Sequence, residues 1–184
     1  MGMKFLVLSN LQDILYEELE SCLINNKYTD IILLGNVDLY ILNNLNTILK
    51  NNSICKHVFT IENLKNNLFN IESSNINLKT LYTKNITING VNSYSKSSFD
   101  YSKFADYETK NIIFSDFNPE YDKEIFFNEV NKHNNLENIN KDYDLWIYSE
   151  NNFNTINIID NTYVLGICGI SILDTKDYSL LKLY

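Results

Sequence analysis

At 184 residues and 21.5 kDa the chain is long enough for one domain with a real core and short for two. Apolar residues make up 45% and aromatics 13%, which excludes a disordered chain. The net charge is −8 and all fifteen basic residues are lysine, so the average surface repels phosphate and lacks the planar guanidinium fork that grips it; nucleic acid and anionic membrane are excluded as partners.

Asparagine is abundant throughout, as the codon bias of an AT-rich genome produces, so no single Asn is read as a chosen polar group. Phe5-Leu6-Val7-Leu8 is a short apolar run expected of a strand covered on both faces, and too short for the apolar region of a secretory signal. Ile14, Leu15, Leu19, Cys22 and Leu23 then share one helical stripe. Ile31 to Leu34 reads as a second strand, stopped by Gly35. Ile41, Leu42, Leu45, Ile48 and Leu49 make a second amphipathic helix, and Cys55 to Ile61 a third strand. This β-α-β-α-β order with short connections predicts parallel strands joined by right-handed crossovers.

The rest of the chain is richer in β signals. Ile86 to Val91 reads as two strand pieces around Asn89-Gly90, a strong hairpin signal. Asn111 to Ser115 reads as a buried strand, Tyr121 to His133 as a helix, and Asp144 to Tyr148 as another strand. Three more strands are expected between Phe153 and Tyr184. Asn51-Asn52 and Asn134-Asn135 read as loop tips. The predicted class is α/β, a single domain over 1–184 with two facing mixed β-sheets flanked by helices.

Three separated cysteines, Cys22, Cys55 and Cys168, have no metal-binding spacing and read as buried free thiols of a reducing compartment, the cytoplasm. No run approaches the ~18 apolar residues of a membrane span. His57 is read as a half-buried strand residue and His133 as a solvated helix-end residue. Neither a G-x-S-x-G nucleophile turn nor a G-x-x-x-x-G-K phosphate loop is present. The tyrosines at 94, 101 and 107 offer a weak contact-surface signal.

In open α/β sheets, ligands gather beyond the carboxyl ends of the strands. There the chain carries Ser9-Asn10-Leu11-Gln12, Gly35-Asn36-Val37-Asp38, Glu62-Asn63-Leu64-Lys65, Ser115-Asp116-Phe117-Asn118-Pro119 and Ser149-Glu150-Asn151-Asn152. In order and position this series resembles the calcineurin-like metallophosphoesterases, which carry D-x-H, G-D, G-N-x-D/E, a histidine, and G-H-x-H at those places. Val164 to Ser171, with Gly169, stands where that family has an N-P-G-S turn before its last strand. The resemblance implies a four-layer sandwich with a two-metal site.

No single motif is intact. Asn10 stands at the first aspartate, Gln12 at its histidine and Asn36 at the bridging aspartate. Asn63 matches the family's asparagine, while Lys65 falls at the acid after it. Asp116 stands at the fourth-strand histidine, and Glu150 and Asn152 at the last two histidines, with Ser149 in place of the glycine. Two-metal hydrolysis needs cations about 3.5–4 Å apart held by a bridging carboxylate and imidazoles. Neutral carboxamides are weak ligands for such ions, and two histidines are too few. No catalytic residue, cofactor or dinuclear metal centre is therefore expected. The leading expectation is an inactive relative that binds another protein, as the scaffold-type retromer subunit of this fold does by family precedent. Alternatives are an altered phosphoesterase with one oxygen-ligated cation on Asp38, Asp116 and Glu150, or a small-ligand sensor with an amide-lined pocket. Asp38 alternatively caps the helix that follows it.

Overall fold

The run Lys4–Ser9 forms strand β1, and its side chains alternate between two apolar environments. Phe5 and Val7 enter one core cluster, whereas Leu6 and Leu8 enter another. Both faces are covered, which is why the run reads as continuously hydrophobic. The computed structural model describes residues 3–54, 57–61, 75–77, 80–82, 86–93, 110–121, 131–132, 144–151, 155–159, 162–176 and 179–184.

After β1 come α1 (Tyr16–Asn25), β2 (Asp30–Leu34), α2 (Leu39–Asn51), β3 (Val58–Thr60) and β4 (Asn75–Asn77). Then follow β5 (Thr80–Tyr82), β6 (Ile86–Val91), β7 (Lys110–Ser115), β8 (Asn131–Lys132) and β9 (Asp144–Ser149). The last elements are β10 (Thr155–Ile159), β11 (Thr162–Ile167), β12 (Gly169–Asp174) and β13 (Ser179–Lys182). One sheet has the order β13-β12-β1-β2-β3-β4 and the other β5-β6-β7-β9-β11-β10-β8. Strands β1 to β4 run parallel, with β12 and β13 added antiparallel at one side. In the second sheet β6, β7, β9 and β11 run parallel, flanked by antiparallel β5 and β10. The protein is thus mixed α/β with two mixed sheets and, among the described residues, two helices.

One core cluster joins Phe5, Val7, Ile32 and Leu34 of the first sheet to Ile112, Phe114, Leu145, Ile147 and Leu165 of the second. A second cluster lies on the other face of the first sheet. There Leu6, Leu8, Ile31 and Leu33 meet Leu19 and Leu23 of α1 and the whole predicted α2 stripe from Ile41 to Leu49. Burying each such Leu or Ile contributes roughly 1.5–3 kcal/mol, so the two faces of the first sheet anchor both helices and the second sheet. The outer face of the second sheet carries Ile113, Trp146, Tyr148 and Val164.

The β-α-β-α-β reading of the first third holds, although the third strand covers only Val58–Thr60 and Cys55 lies outside the described residues. Other expectations are corrected. Ile86 to Val91 is one continuous strand, with Gly90 opposite Phe114 in a parallel pairing, so Asn89-Gly90 makes no turn. Asn89 is buried there, and the neighbouring strand overrides the local turn preference. The expected helix over 121–133 gives way at both described ends. Tyr121 closes a 3-10 turn from Pro119, and Asn131 and Lys132 pair with Ile158 and Asn157; residues 122–130 and His133 lie outside the described residues. The tail holds four strands rather than three, because Gly169, at positive φ, lets β12 start with only Cys168 between it and the end of β11. Leu15 leaves the α1 stripe: it occupies the N-cap position with extended backbone and is exposed. His57 is exposed and precedes β3, where its Nδ1 lies 2.9 Å from Oδ1 of Asp30. Residues 134–135 and the tyrosines at 94, 101 and 107 lie outside the described residues.

Candidate functional site

Parallel pairing aligns the carboxyl ends of β1 and β2 on one edge, and those of β7, β9 and β11 on the corresponding edge of the second sheet. Asn10 follows β1 in the left-handed region, at φ 42°, a conformation that Asn tolerates better than most residues. Its N–H donates to Leu34 O at 3.1 Å, which carries the β1–β2 ladder one step beyond the strand. That conformation turns its side chain across the junction of the two sheets.

The Asn10 carboxamide then uses both ends. Oδ1 accepts the N–H of Asn36 at 2.8 Å, and Nδ2 donates to Glu150 O at 2.9 Å and to Oδ1 of Asn151 at 3.2 Å. The flanking groups fix this orientation, because Asn36 N–H only donates and Glu150 O only accepts. Ser9 adds a second tie between the sheets, its hydroxyl donating to Ile167 O at 2.8 Å. The Glu150 N–H reaches the same carbonyl at 2.8 Å. Ser149 Oγ reaches Asp116 O at 3.4 Å, linking the ends of β7 and β9.

Gly35 lies beneath this network at φ 68°. A Cβ there would stand 2.3 Å from Asn10 Oδ1 and 2.6 Å from Ser149 Cβ, so the close approach of the two sheets requires glycine. Below the edge, Trp146 Nε1 donates to Ser115 Oγ at 2.7 Å, and that hydroxyl donates onward to Phe117 O at 2.7 Å. This chain holds the loop after β7 against a fully buried ring.

Two acids at this edge are engaged with nearby donors. Asp116 accepts from Ser93 N at 2.8 Å and from Ser93 Oγ at 3.1 Å, which ties the end of β6 to that of β7. The Glu150 carboxylate accepts from Tyr148 OH and from Asn151 N, both at 3.1 Å. Asp38 is exposed at the N-cap position of α2 and makes no side-chain cap bond, so the capping role expected for its side chain is absent. Its N–H instead donates to Leu11 O at 3.3 Å, joining the first two edge loops. Among the described residues there is no group of three or more His, Cys, Asp or Glu placed to hold a metal. Asp116 and Glu150 are instead drawn to separate donors, the first to Ser93 and the second to Tyr148 and Asn151.

Asn10, Asn36, Asp116 and Glu150 thus share one edge, with Asn10 touching both Asn36 and Glu150 directly. Gln12 is exposed in the loop beside them. Asn63, Lys65 and Asn152 lie outside the described residues. Sequence reasoning missed Ser93, which is distant in sequence from Asp116 and meets it only through the β6–β7 register. It also treated Gly35 as a strand terminator, although its larger role is to admit Asn10. Away from the edge, the Cys22 thiol is pushed up in pKa by burial and then by Glu18, which suits a packing residue rather than a nucleophile. Cys168 lies next to the site, with Sγ 3.6 Å from Asn151 O.

No protein-family model, curated protein or solved structure matches the chain.

Proposed function

We propose that this chain is a catalytically inactive relative of the calcineurin-like metallophosphoesterases, acting in the cytoplasm by binding another protein. Two mixed sheets sharing a core, with both described helices on the outer face of the first and Trp146, Tyr148 and Val164 buried on the outer face of the second, support a four-layer sandwich. The observation that carries the functional reading is the Asn10 carboxamide. It ties Asn36 to Glu150 across the edge where the family holds its metals. A bridging pair of cations draws strand ends together through their ligands. Here a neutral amide joins them, because it donates in one direction and accepts in the other, which a carboxylate at neutral pH cannot do. It also removes the repulsion that clustered carboxylates suffer without a metal.

A protein-binding role is favoured over chemistry because Asp116 and Glu150 are engaged in hydrogen bonds within the protein and the surface presents exposed apolar side chains. The free thiol of Cys22 fits a reducing compartment, and among the described residues no helix is long and apolar enough to cross a membrane.

The test is elemental analysis of purified protein, followed by assay of an aryl phosphodiester with Mn²⁺, Mg²⁺ and Ca²⁺. Substoichiometric metal and no turnover above buffer are expected. Stoichiometric metal with hydrolysis that disappears on changing Asp116 or Glu150 would overturn the reading.

A further inference from the structure

Both helices begin at the carboxyl edge, side by side, because α1 follows β1, α2 follows β2, and the two strands are neighbours. Their first residues are unusual. Leu15, at the N-cap of α1, is 63% exposed, and Leu39 and Tyr40, opening α2, are 51% and 65% exposed. These are half of the large apolar side chains exposed among the described residues, and they stand at one edge instead of being scattered. Leu15 also breaks a local rule. The N-cap favours a side-chain oxygen that bonds a free N–H of the first turn, and leucine has none. Only half a capping box forms, with Glu18 Oε2 accepting the Leu15 N–H at 3.3 Å.

The loops that carry them are acidic as well. Exposed Asp13, Glu17 and Asp38 stand within two residues of these apolar residues in sequence, and the loops after β1 and β2 contain no lysine. Lys4, Lys27, Lys50, Lys110 and Lys176 lie at the opposite edge, before the parallel strands, at the ends of the helices, or after β12, whereas Lys182 ends β13 on the far side of β12 from β1. The two loops that follow β1 and β2 therefore carry apolar and acidic side chains together, which disfavours phosphate and anionic lipid there and complements a cation-flanked apolar segment.

We propose that Leu15, Leu39 and Tyr40, flanked in sequence by Asp13, Glu17 and Asp38, dock an amphipathic, lysine- or arginine-rich helix of a partner protein. This rests on the reading that the protein works by binding another. The apolar face of such a helix covers the three exposed side chains, and its cations meet the flanking carboxylates. The neighbouring Asn10 network holds the two loops that carry them.

The test titrates full-length protein with a short synthetic Leu/Lys amphipathic helix, a Leu/Glu helix of the same pattern, and oligolysine. The Leu/Lys helix is expected to bind best, and more weakly as salt rises. Leu15→Ser/Tyr40→Ser weakens it at least about tenfold, the scale of losing central apolar anchors. Ile24→Ser and Leu181→Ser, exposed apolar controls away from this edge, leave it unchanged. Equal binding by the edge variant and the wild type overturns the proposal, as does equal affinity for the Leu/Glu helix. Adsorption to phosphatidylserine vesicles through the same residues overturns it in favour of a membrane. Metal-dependent hydrolysis would sink the inactive-relative reading and leave the docking surface standing, whereas indifference of the edge variant would do the reverse.

Discussion

Asn10 Oδ1 accepts the backbone N–H of Asn36 at 2.8 Å, closing the loops after β1 and β2 onto each other while the same carboxamide reaches Glu150 O at 2.9 Å. The arrangement depends on amide chemistry rather than on shape. Asn10→Asp keeps the size and the bond to Asn36, yet faces a carboxylate oxygen toward the Glu150 carbonyl. The loss is expected to be about 1–3 kcal/mol at neutral pH, the cost of an unmade bond to a part-buried acceptor. A protonated Asp regains a donor, so the folded form holds the proton more tightly than the unfolded chain. The variant's deficit is therefore largest above the folded pKa and shrinks as pH falls toward the carboxylate range. Chemical denaturation of both proteins at neutral and acid pH checks this, and a pH-independent deficit would contradict it.

Gly35→Ala places a methyl group against Asn10 and Ser149 on a backbone at φ 68°. Left-handed strain and overpacking act together, for a cost on the order of 3 kcal/mol. Urea unfolding should show a lower midpoint at unchanged slope. A change below about 0.5 kcal/mol, the size of an ordinary surface effect, would mean that the two sheets do not approach so closely here.

Much of the first sheet was legible in the sequence because its strands are covered on both faces. Phe5 to Leu8 and Ile31 to Leu34 are continuous apolar runs, and the α2 stripe from Ile41 to Leu49 is buried as its period predicts. Where local signals competed with pairing, the sequence misled. Asn89-Gly90 looks like a turn but is held in strand by β7, and Asn131-Lys132 looks helical but pairs with β10. The site was legible as a set of loop positions, since strand order places Asn10, Asn36, Asp116 and Glu150 at carboxyl ends. Its wiring was not. Ser93 meets Asp116, and Ser9 meets Ile167, only through register between distant segments. Leu15 likewise fits the helical period, and only the backbone at the helix start turns it outward.

Asp144 opens β9 at the opposite edge and accepts from Asn111 N–H at 2.8 Å. Burial pushes its carboxyl up in pKa, against the opposing pull of the Asn111 hydrogen bonds and Lys110. Its folded pKa thus lies above the unfolded value. Its contribution is full below the unfolded pKa and is lost as pH rises through the folded one. Asp144→Asn cannot titrate, so its stability relative to the wild type should improve as pH rises from the lower end of the carboxylate range toward neutrality. Only the slope is read, which cancels any constant packing offset. An opposite slope would show that the Asn111 bonds outweigh burial.

Leu15 offers the sharpest separation of stability from function. Leu15→Ser supplies the missing N-cap oxygen to the first turn of α1 and completes a capping box with Glu18, which already accepts the N–H of residue 15. A proper cap contributes about 0.5–2 kcal/mol, and removing an exposed leucine side chain costs the folded state little. Each kcal/mol shifts Tm by about 2–4 °C for a domain of this size, so Leu15→Ser should melt higher than the wild type. The same substitution should weaken capture of the Leu/Lys helix. A residue kept only for folding would show both quantities moving together, and a fall in Tm would mean that Leu15 packs against the protein instead of facing a partner.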